Sequence, residues 1–263
     1  MIKFCSLFSG SSGNCIFIGT DEVKILIDAG VSGSKIAGAL NEIGENPEDL
    51  SAIFVTHEHS DHVSGAGIVS RKYNVPIYAT DKTWQAMARG LGKILPENRR
   101  SLKVGAHITL GDMEVKNFRI PHDAADPVAY SFKVGGKMIS VATDMGCVTQ
   151  EIRENITGSD LILLESNHDV EMLQNGSYPY VLKQRILGDR GHLSNIVAAD
   201  FLTDLALGGT SVFFLGHLSQ ENNTPECAYE TAHHMLLERG LRVGRDLDMW
   251  VADRYHYSRV VNL

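Results

Sequence analysis

The chain has 263 residues, which is enough for one large α/β domain or two small ones. Hydrophobic residues make up 43% and charged residues 21%, so the composition supports a packed core and argues against extensive disorder. The formal net charge of −8 argues against a broad basic face, so a nucleic-acid partner would have to be held by a local patch or by metal ions.

In chain order, short apolar segments alternate with amphipathic ones. Hydrophobic periodicity and turn residues predict strands at residues 2–8, 15–19, 24–27, 52–56, 76–79, 107–110, 113–120, 129–134, 137–142, 161–164 and 211–215. Helices are predicted at residues 32–43, 62–73, 81–91, 194–207 and 224–239. Strands interleaved with helices predict a layered α/β fold.

No linker, low-complexity segment or short repeat interrupts this pattern. We therefore expect a single domain over residues 1–263, in which the polar, helical stretch 170–191 is an inserted lid. The N-terminus lacks the features of a signal peptide, and no apolar run approaches the roughly 20 residues that span a bilayer. The predicted location is the cytoplasm, with no membrane partner.

The densest chemical signal follows the apolar segment 52–56. His57 and His59 are two residues apart, so on an extended backbone they project to the same side and can grip one metal. Asp61 and His62 lie past the turn, where a second metal can be held. Imidazole and carboxylate ligands suit zinc, iron or manganese. The alternative, a polar surface loop, is disfavoured by the density of the cluster.

The spacing His57-x-His59-x-Asp61-His62 matches the HxHxDH signature of the metallo-β-lactamase superfamily, which the chain resembles over nearly its whole length. Other residues match the remaining motifs of that superfamily in order, each within two residues of the end of a predicted strand: Asp28, His122, Asp144 and His217. The resemblance implies a four-layer αββα sandwich that holds two divalent ions, zinc or manganese or else iron.

The resemblance also implies how the ligands divide between the two metals. One ion would be held by His57, His59 and His122, and the other by Asp61, His62 and His217. Asp144 would bridge the two ions. An aspartate bridge in place of a cysteine ligand is typical of the phosphodiesterases and thiolester hydrolases of the superfamily.

Two further stretches are candidates for binding a phosphate. In the run of glycine and serine at residues 9–14, small residues let backbone N–H groups approach an anion, which makes Ser11, Ser12 and Asn14 candidate contacts. A plain tight hairpin is the alternative.

The second stretch is His192 with Ser194 and Asn195, at the predicted start of a helix whose N-terminus can cradle a phosphate. The alternative for Ser194 is capping of that helix, and the two roles are compatible.

Four stretches together resemble the YycJ/WalJ group of bacterial metallo-β-lactamase-fold proteins: residues 8–15, 165–169, 191–195 and 216–223. That group is associated with 5′-to-3′ DNA exonuclease activity and DNA repair, and it is related to ribonucleases J and Z. The resemblance implies a dinuclear phosphodiesterase whose partner is DNA and whose nucleophile is a hydroxide made on the metals. Asp61 or Asp144 would orient the nucleophile, and His192 would stabilise the developing charge or protonate the leaving group.

Two other functions stay open at this point. A small-molecule hydrolase acting on a cyclic phosphodiester, thioester or lactone would use the same metals. A non-enzymatic partner in a signalling or repair complex would keep the metal site for stability alone. The residues fix neither the identity of the metal, nor DNA against RNA, nor the oligomeric state.

Overall fold

The computed structural model describes residues 1–263, whose contacts divide them into two compact units. The first unit comprises Met1–Asn117, Ala124–Val128 and Ala252–Leu263, and the second comprises Phe118–Asp123 and Ala129–Val251. The assignment of the whole chain to one domain stays a prediction, as does the lid.

The chain folds into strands and helices that alternate along most of its length. The strands are β1 (Lys3–Phe8), β2 (Cys15–Gly19), β3 (Lys24–Ile27), β4 (Ala52–Phe54), β5 (Ile77–Thr80), β6 (Arg99–Leu102), β7 (His107–Leu110), β8 (Met113–Arg119), β9 (Val128–Val134), β10 (Lys137–Ala142), β11 (Leu161–Glu165), β12 (Val212–Gly216), β13 (Asp248–Val251) and β14 (Val261–Asn262). The α-helices are α1 (Gly33–Glu42), α2 (Ser60–Val63), α3 (Ala66–Tyr73), α4 (Asp81–Leu91), α5 (Gln150–Ile156), α6 (Val170–Asn175), α7 (Tyr180–Leu187), α8 (Asn195–Leu207) and α9 (Pro225–Glu238). None of the helices combines the length and the apolar character that a bilayer crossing requires.

The first unit is built on a mixed sheet with strand order β14-β1-β2-β3-β4-β5-β6. The strands from β14 to β3 pair antiparallel, and those from β3 to β6 pair parallel. Strands β3 and β4 are almost wholly buried, which is typical of parallel strands covered on both faces. Since parallel strands end at the same edge of a sheet, the loops after β3 and β4 leave side by side.

The second unit contains the strand order β13-β12-β11-β10-β9. Strands β9 and β10 are antiparallel, whereas β10 to β13 are parallel. The centre of this sheet, β11, is completely buried. A cluster of buried apolar side chains from α5, α8 and α9 packs with those of the sheet. The loops that follow β10, β11 and β12 therefore start from neighbouring positions on a rigid support.

The helix predicted at residues 62–73 is in fact two helices, α2 and α3, separated at Ser64 and Gly65. A Cβ atom built on Gly65 would lie 2.0 Å from the carbonyl oxygen of Val31, so only glycine fits there. Gly65 N–H donates to the Ala29 carbonyl, which ties this break to the loop after β3. The break sets where α2, and with it His62, sits against the sheet.

Gly30 controls the same junction from the other side. A Cβ atom there would lie 1.7 Å from the carbonyl oxygen of Asp61, and Gly30 N–H donates to the carbonyl of Asn14 over 2.8 Å. Asn14 N–H in turn donates to the Asp61 carbonyl over 2.8 Å. Three loops thus meet backbone to backbone at a point that has no room for a methyl group.

We expect Gly30→Ala to lower the free energy of unfolding by about 1–3 kcal/mol, because the methyl group must push the Asp61 backbone aside. Gly38→Ala is the matched control: Gly38 is in α1 with open space around its Cβ position, and replacing a helical glycine with alanine stabilises by about 0.5–1 kcal/mol. Urea unfolding followed by circular dichroism measures both changes. An unfolding midpoint for Gly30→Ala at or above that of the wild type would contradict the steric argument.

Candidate metal centre

The histidine-rich loop of the first unit follows β4 and leads into α2. His57 and His62 are fully buried, and His59 is half-buried. The Nε2 atom of His57 lies 3.0 Å from the Nδ1 atom of His59. Two imidazole nitrogens on one tetrahedral zinc ion, each about 2.0–2.1 Å from the metal, are about 3.3 Å apart. The pair therefore has the spacing of two ligands to one ion.

Asp28, the residue after β3, orients this loop. Its Oδ1 atom accepts the backbone N–H of Thr56, and its Oδ2 atom accepts the Thr56 hydroxyl, each over 2.8 Å. Oδ2 also lies 2.7 Å from the Nδ1 atom of His62. Because an ionised carboxylate can only accept, Nδ1 of His62 carries the proton, and Nε2 is left as the atom that can bind a metal.

Asn14 joins the run of glycine and serine to this loop. Its amide nitrogen donates to the carbonyls of Gly10 and Asp61 and lies 3.1 Å from Nε2 of His62. Its amide oxygen accepts the N–H of Gly10. Asn14 is buried, so its side chain shapes the loop, whereas the neighbouring Ser11 and Ser12 are exposed. A role for these three residues in phosphate binding stays a prediction.

The second unit gathers the other predicted ligands. His122 Nε2 lies 3.8 Å from Asp144 Oδ1, and His217 Nδ1 lies 3.5 Å from the same oxygen. All three side chains are almost completely buried. His122 Nδ1 donates to the Gly191 carbonyl over 3.2 Å, so its Nε2 atom is the one with a lone pair. The structure thus brings His122, Asp144 and His217 together within this unit.

Glu165, at the end of β11, organises two of the neighbouring histidines. Its Oε1 atom accepts from Nδ1 of His192 over 2.8 Å and from Nδ1 of His217 over 2.9 Å. Its Oε2 atom accepts the backbone N–H groups of Met145 and Leu193. With four donors on two oxygens, Glu165 is saturated. We therefore assign it to orienting the histidines, although it lies close enough to Asp144, His192 and His217 to share an ion with them.

This arrangement shifts the pKa values of both partners. Burial raises the pKa of Glu165, but the charge of His192 and hydrogen bonds from His192 and His217 outweigh it and hold that pKa well below its usual range. Burial lowers the pKa of His192, yet the Glu165 carboxylate more than compensates, and the pKa is raised. Burial lowers the pKa of His122, which favours the neutral ring that can bind a cation.

The stretch at the start of α8 is mostly committed to internal contacts. The Ser194 hydroxyl caps α8 by accepting the N–H of Val197, as its capping alternative predicts. The Asn195 amide is buried, exchanges a reciprocal pair of hydrogen bonds with the Asn223 amide and accepts from Ser166. Of the three predicted phosphate contacts here, His192 is half-buried and the other two are buried. Phosphate binding by His192, Ser194 and Asn195 stays a prediction.

In the sequence, Glu165 stands out only as part of the stretch 165–169, and no pattern there predicts that one carboxylate serves two histidines. A usable signal is that Glu165 is an acid at the end of a fully buried strand, as β10 and β12 are each followed within two residues by a candidate ligand. A buried glutamate in that place needs several donors to offset its desolvation.

The donor sets of both units suit divalent cations. Each contains imidazole nitrogens whose second ring nitrogen is held by an acceptor of the protein, together with a carboxylate beside them. This is the usual environment of zinc and similar metals. The protein therefore carries residues that fit divalent metal ions, while the number and identity of the ions stay predictions.

Comparisons with known proteins agree with these features. A family model described as a beta-lactamase superfamily domain matches residues 23–217. The chain is 41% identical over 252 residues to an exodeoxyribonuclease YycJ from Bacillus anthracis, covering 96% of each chain. It is 43% identical over 250 residues to an exodeoxyribonuclease WalJ from Streptococcus pneumoniae, covering 94% of this chain and 93% of the relative.

Among solved structures, the metallo-beta-lactamase fold protein YhfI from Bacillus subtilis superposes with a TM-score of 0.73 at 14% identity. The match covers 98% of this chain and 100% of that one. At this identity the likeness concerns the fold alone. It confirms the α/β metallo-β-lactamase fold predicted from the sequence, with mixed sheets flanked by helices.

We expect Glu165→Gln to weaken zinc binding about 10- to 100-fold. Glutamine offers one acceptor oxygen and an NH₂ group. The NH₂ group would face N–H donors whose hydrogen bonds Glu165 now accepts, and those donors would lose their acceptor. Glu151→Gln is the control, because Glu151 is an exposed carboxylate that accepts a single backbone N–H, that of Arg119. Competition with a chromophoric chelator measures both affinities. Equal affinities for the two variants would contradict the role given to Glu165.

Proposed function

The chain belongs to the beta-lactamase superfamily and is a metal-dependent hydrolase, and we propose that it is a phosphodiesterase that degrades DNA in the 5′-to-3′ direction. The observation that carries the proposal is sequence identity: over nearly its whole length, the chain is 41% and 43% identical to relatives named as exodeoxyribonucleases. A role in DNA repair and a cytoplasmic location belong to the same proposal.

The ligands that we propose for two divalent ions are the seven predicted from the sequence: His57, His59, Asp61, His62, His122, Asp144 and His217. Bound there, the ions would supply a water of lowered pKa as nucleophile and would offset charge on the phosphate oxygens. The contacts of Asp28 and Glu165 support this set, because they direct Nε2 of His62 and His217 away from the carboxylates that hold Nδ1.

We give His192 a different role from the ligands. Its side chain is 20% exposed, whereas those of His122 and His217 are 2% exposed, so it alone of these three can reach a bound strand. Glu165 holds Nδ1, and Nε2 is left to donate a hydrogen bond to a phosphate oxygen or a proton to the leaving oxygen. Asp61 and Asp144 would orient the nucleophile, and Ser11 and Ser12 would offer hydroxyls to the phosphate.

The direct test is a digest of 5′-labelled single- and double-stranded DNA and RNA, with manganese or zinc added. We expect DNA to release labelled mononucleotides before any labelled fragments from internal cleavage appear. Cleavage of a cyclic nucleotide diester, thioester or lactone with no attack on DNA or RNA would replace this proposal with a small-molecule hydrolase.

Removing divalent ions with EDTA should abolish hydrolysis of bis-p-nitrophenyl phosphate and of DNA together, because both reactions would use the same nucleophile. Adding back manganese or zinc should restore both activities. Circular dichroism before and after chelation checks that the protein stays folded. Full activity in protein shown by elemental analysis to contain no metal would overturn the scheme.

His192→Ala should lower kcat for DNA about 10²- to 10⁴-fold, the usual contribution of a general acid, while metal content stays that of the wild type. His107→Ala is the control, since His107 is an exposed histidine on β7 whose ring pairs with Glu114. Elemental analysis and steady-state kinetics measure the two quantities. Loss of metal in His192→Ala would instead make His192 a ligand.

A further inference from the structure

A groove on the first unit lies between α1 and the segment that joins β13 to β14. Tyr255 and Tyr257 line it on one side and are 57% and 40% exposed. Gly38 and Ala39 of α1 line the other side, and the absence of a side chain at Gly38 leaves open space. The groove has a volume of about 220 Å³. That is below the roughly 300–1,000 Å³ of pockets that hold whole small-molecule ligands, so it suits a single planar group.

The backbone that carries the two tyrosines is held firmly. Oδ1 of Asp253 accepts the N–H groups of Tyr255 and His256, which closes a tight turn. The carbonyl of Asp253 accepts the N–H of Ser9, and Ser258 N–H donates to the carbonyl of Ser6. Both ends of the segment are therefore anchored on or beside β1. The exposed rings project from a fixed backbone, so less conformational freedom is lost when a ligand stacks on them.

One cationic side chain lines the groove and two more flank its tyrosines in the sequence, although the whole chain has a net charge of −8. Lys35 lines it from α1, and Arg254 and Arg259 flank the tyrosines in the sequence. The nearby acids are Glu42, which also lines the groove, and Asp253, whose carboxylate is engaged in the turn. Exposed aromatic rings interleaved with cations are the combination that proteins use to bind single-stranded nucleic acid.

The groove is also linked to the candidate metal centre within the same unit. The Arg254 guanidinium donates to the Ser11 hydroxyl over 3.3 Å. Ser11 lies in the same tight loop as Asn14, whose amide lies 3.1 Å from Nε2 of the predicted ligand His62. A strand whose phosphates follow the loop at Ser11 would therefore pass Arg254 and reach the two tyrosines.

We propose that this groove binds an unpaired base of the nucleic-acid strand, stacked on Tyr255 and Tyr257, with Arg254 and Lys35 contacting the adjoining phosphates. The inference rests on the proposed nuclease function and deepens it. It specifies that the enzyme binds its substrate as a single strand with intact bases. Stacking is tolerant of sequence, since every base offers a π-face. The groove therefore adds affinity without selecting a sequence.

The test compares the metal-loaded full chain with Tyr255→Ala, Tyr257→Ala and Gly38→Gln on single-stranded DNA. Each variant should raise KM on the order of 10-fold, the first two by removing a stacking surface and the third by filling the groove from α1. Tyr255→Phe should restore the wild-type KM because it keeps the ring. On an oligonucleotide whose nucleotides are abasic, wild type and Tyr255→Ala should have equal KM values.

Gly90→Gln is the matched control for Gly38→Gln, since Gly90 is an exposed glycine of α4 with open space around its Cβ position. It should have the KM of the wild type. A second outcome is that the wild type degrades DNA while both tyrosine variants and Gly38→Gln have wild-type KM values. That result would overturn the proposed role of the groove in base binding and leave the nuclease function standing. Failure of the wild type to degrade any strand, while it hydrolyses bis-p-nitrophenyl phosphate, would overturn the nuclease function itself.

Discussion

The candidate site depends on one repeated interaction, a buried carboxylate that accepts the Nδ1 proton of a histidine. Asp28 does this for His62, and Glu165 does it for His192 and His217. Burying an ionised carboxylate costs several kcal/mol unless hydrogen bonds replace its hydration. Glu165 therefore takes two backbone N–H groups in addition to two imidazoles, and Asp28 takes the backbone and hydroxyl of Thr56. These hydrogen bonds offset the cost of burying the carboxylate. They also hold each imidazole ring in a fixed orientation without a bound metal.

The backbone is bent to serve the same purpose. Asp28, Asp144 and His217 all have positive φ angles of 55–59°, and each follows closely on a buried strand that is paired in parallel. A left-handed conformation costs an ordinary residue about 1–3 kcal/mol, so it persists only where the surroundings enforce it. Here it turns the chain sharply at the strand end and places the side chain beside its partners within its own unit. Three of the four non-glycine residues with positive φ are thus residues that the sequence motifs single out.

Those motifs explain how much could be predicted from the sequence. The candidate ligands could be predicted because the chemistry demands particular residue types at fixed spacing near the ends of apolar strands. The bounds of β2, β3, β7, β10 and α4 agree with the prediction because hydrophobic periodicity and turn residues mark their ends. Glu165 has no such spacing. The pairing of β11 with β12 brings His217 to it, and His192 reaches it from the loop before α8. The strand β6 was missed because Arg99, Arg100 and Ser101 are exposed at the sheet edge and show no apolar alternation. The break between α2 and α3 was missed because it depends on the approach of Val31 to Gly65, which local propensity does not report.

The acidic character of the chain bears on how a nucleic-acid strand would be held. A protein that relies on neutralising phosphates needs many cations, and its affinity falls steeply as salt is added. With a net charge of −8, this chain has little capacity for that mode. In the proposed mode, divalent ions at the reacting phosphate and aromatic stacking at Tyr255 and Tyr257 would supply affinity without a basic surface. The acidic remainder of the surface then disfavours broad contact with duplex DNA. If the strand is held in this way, a negative net charge is compatible with a nuclease, because binding would depend on the candidate metal centre and the aromatic groove and not on a broad basic surface.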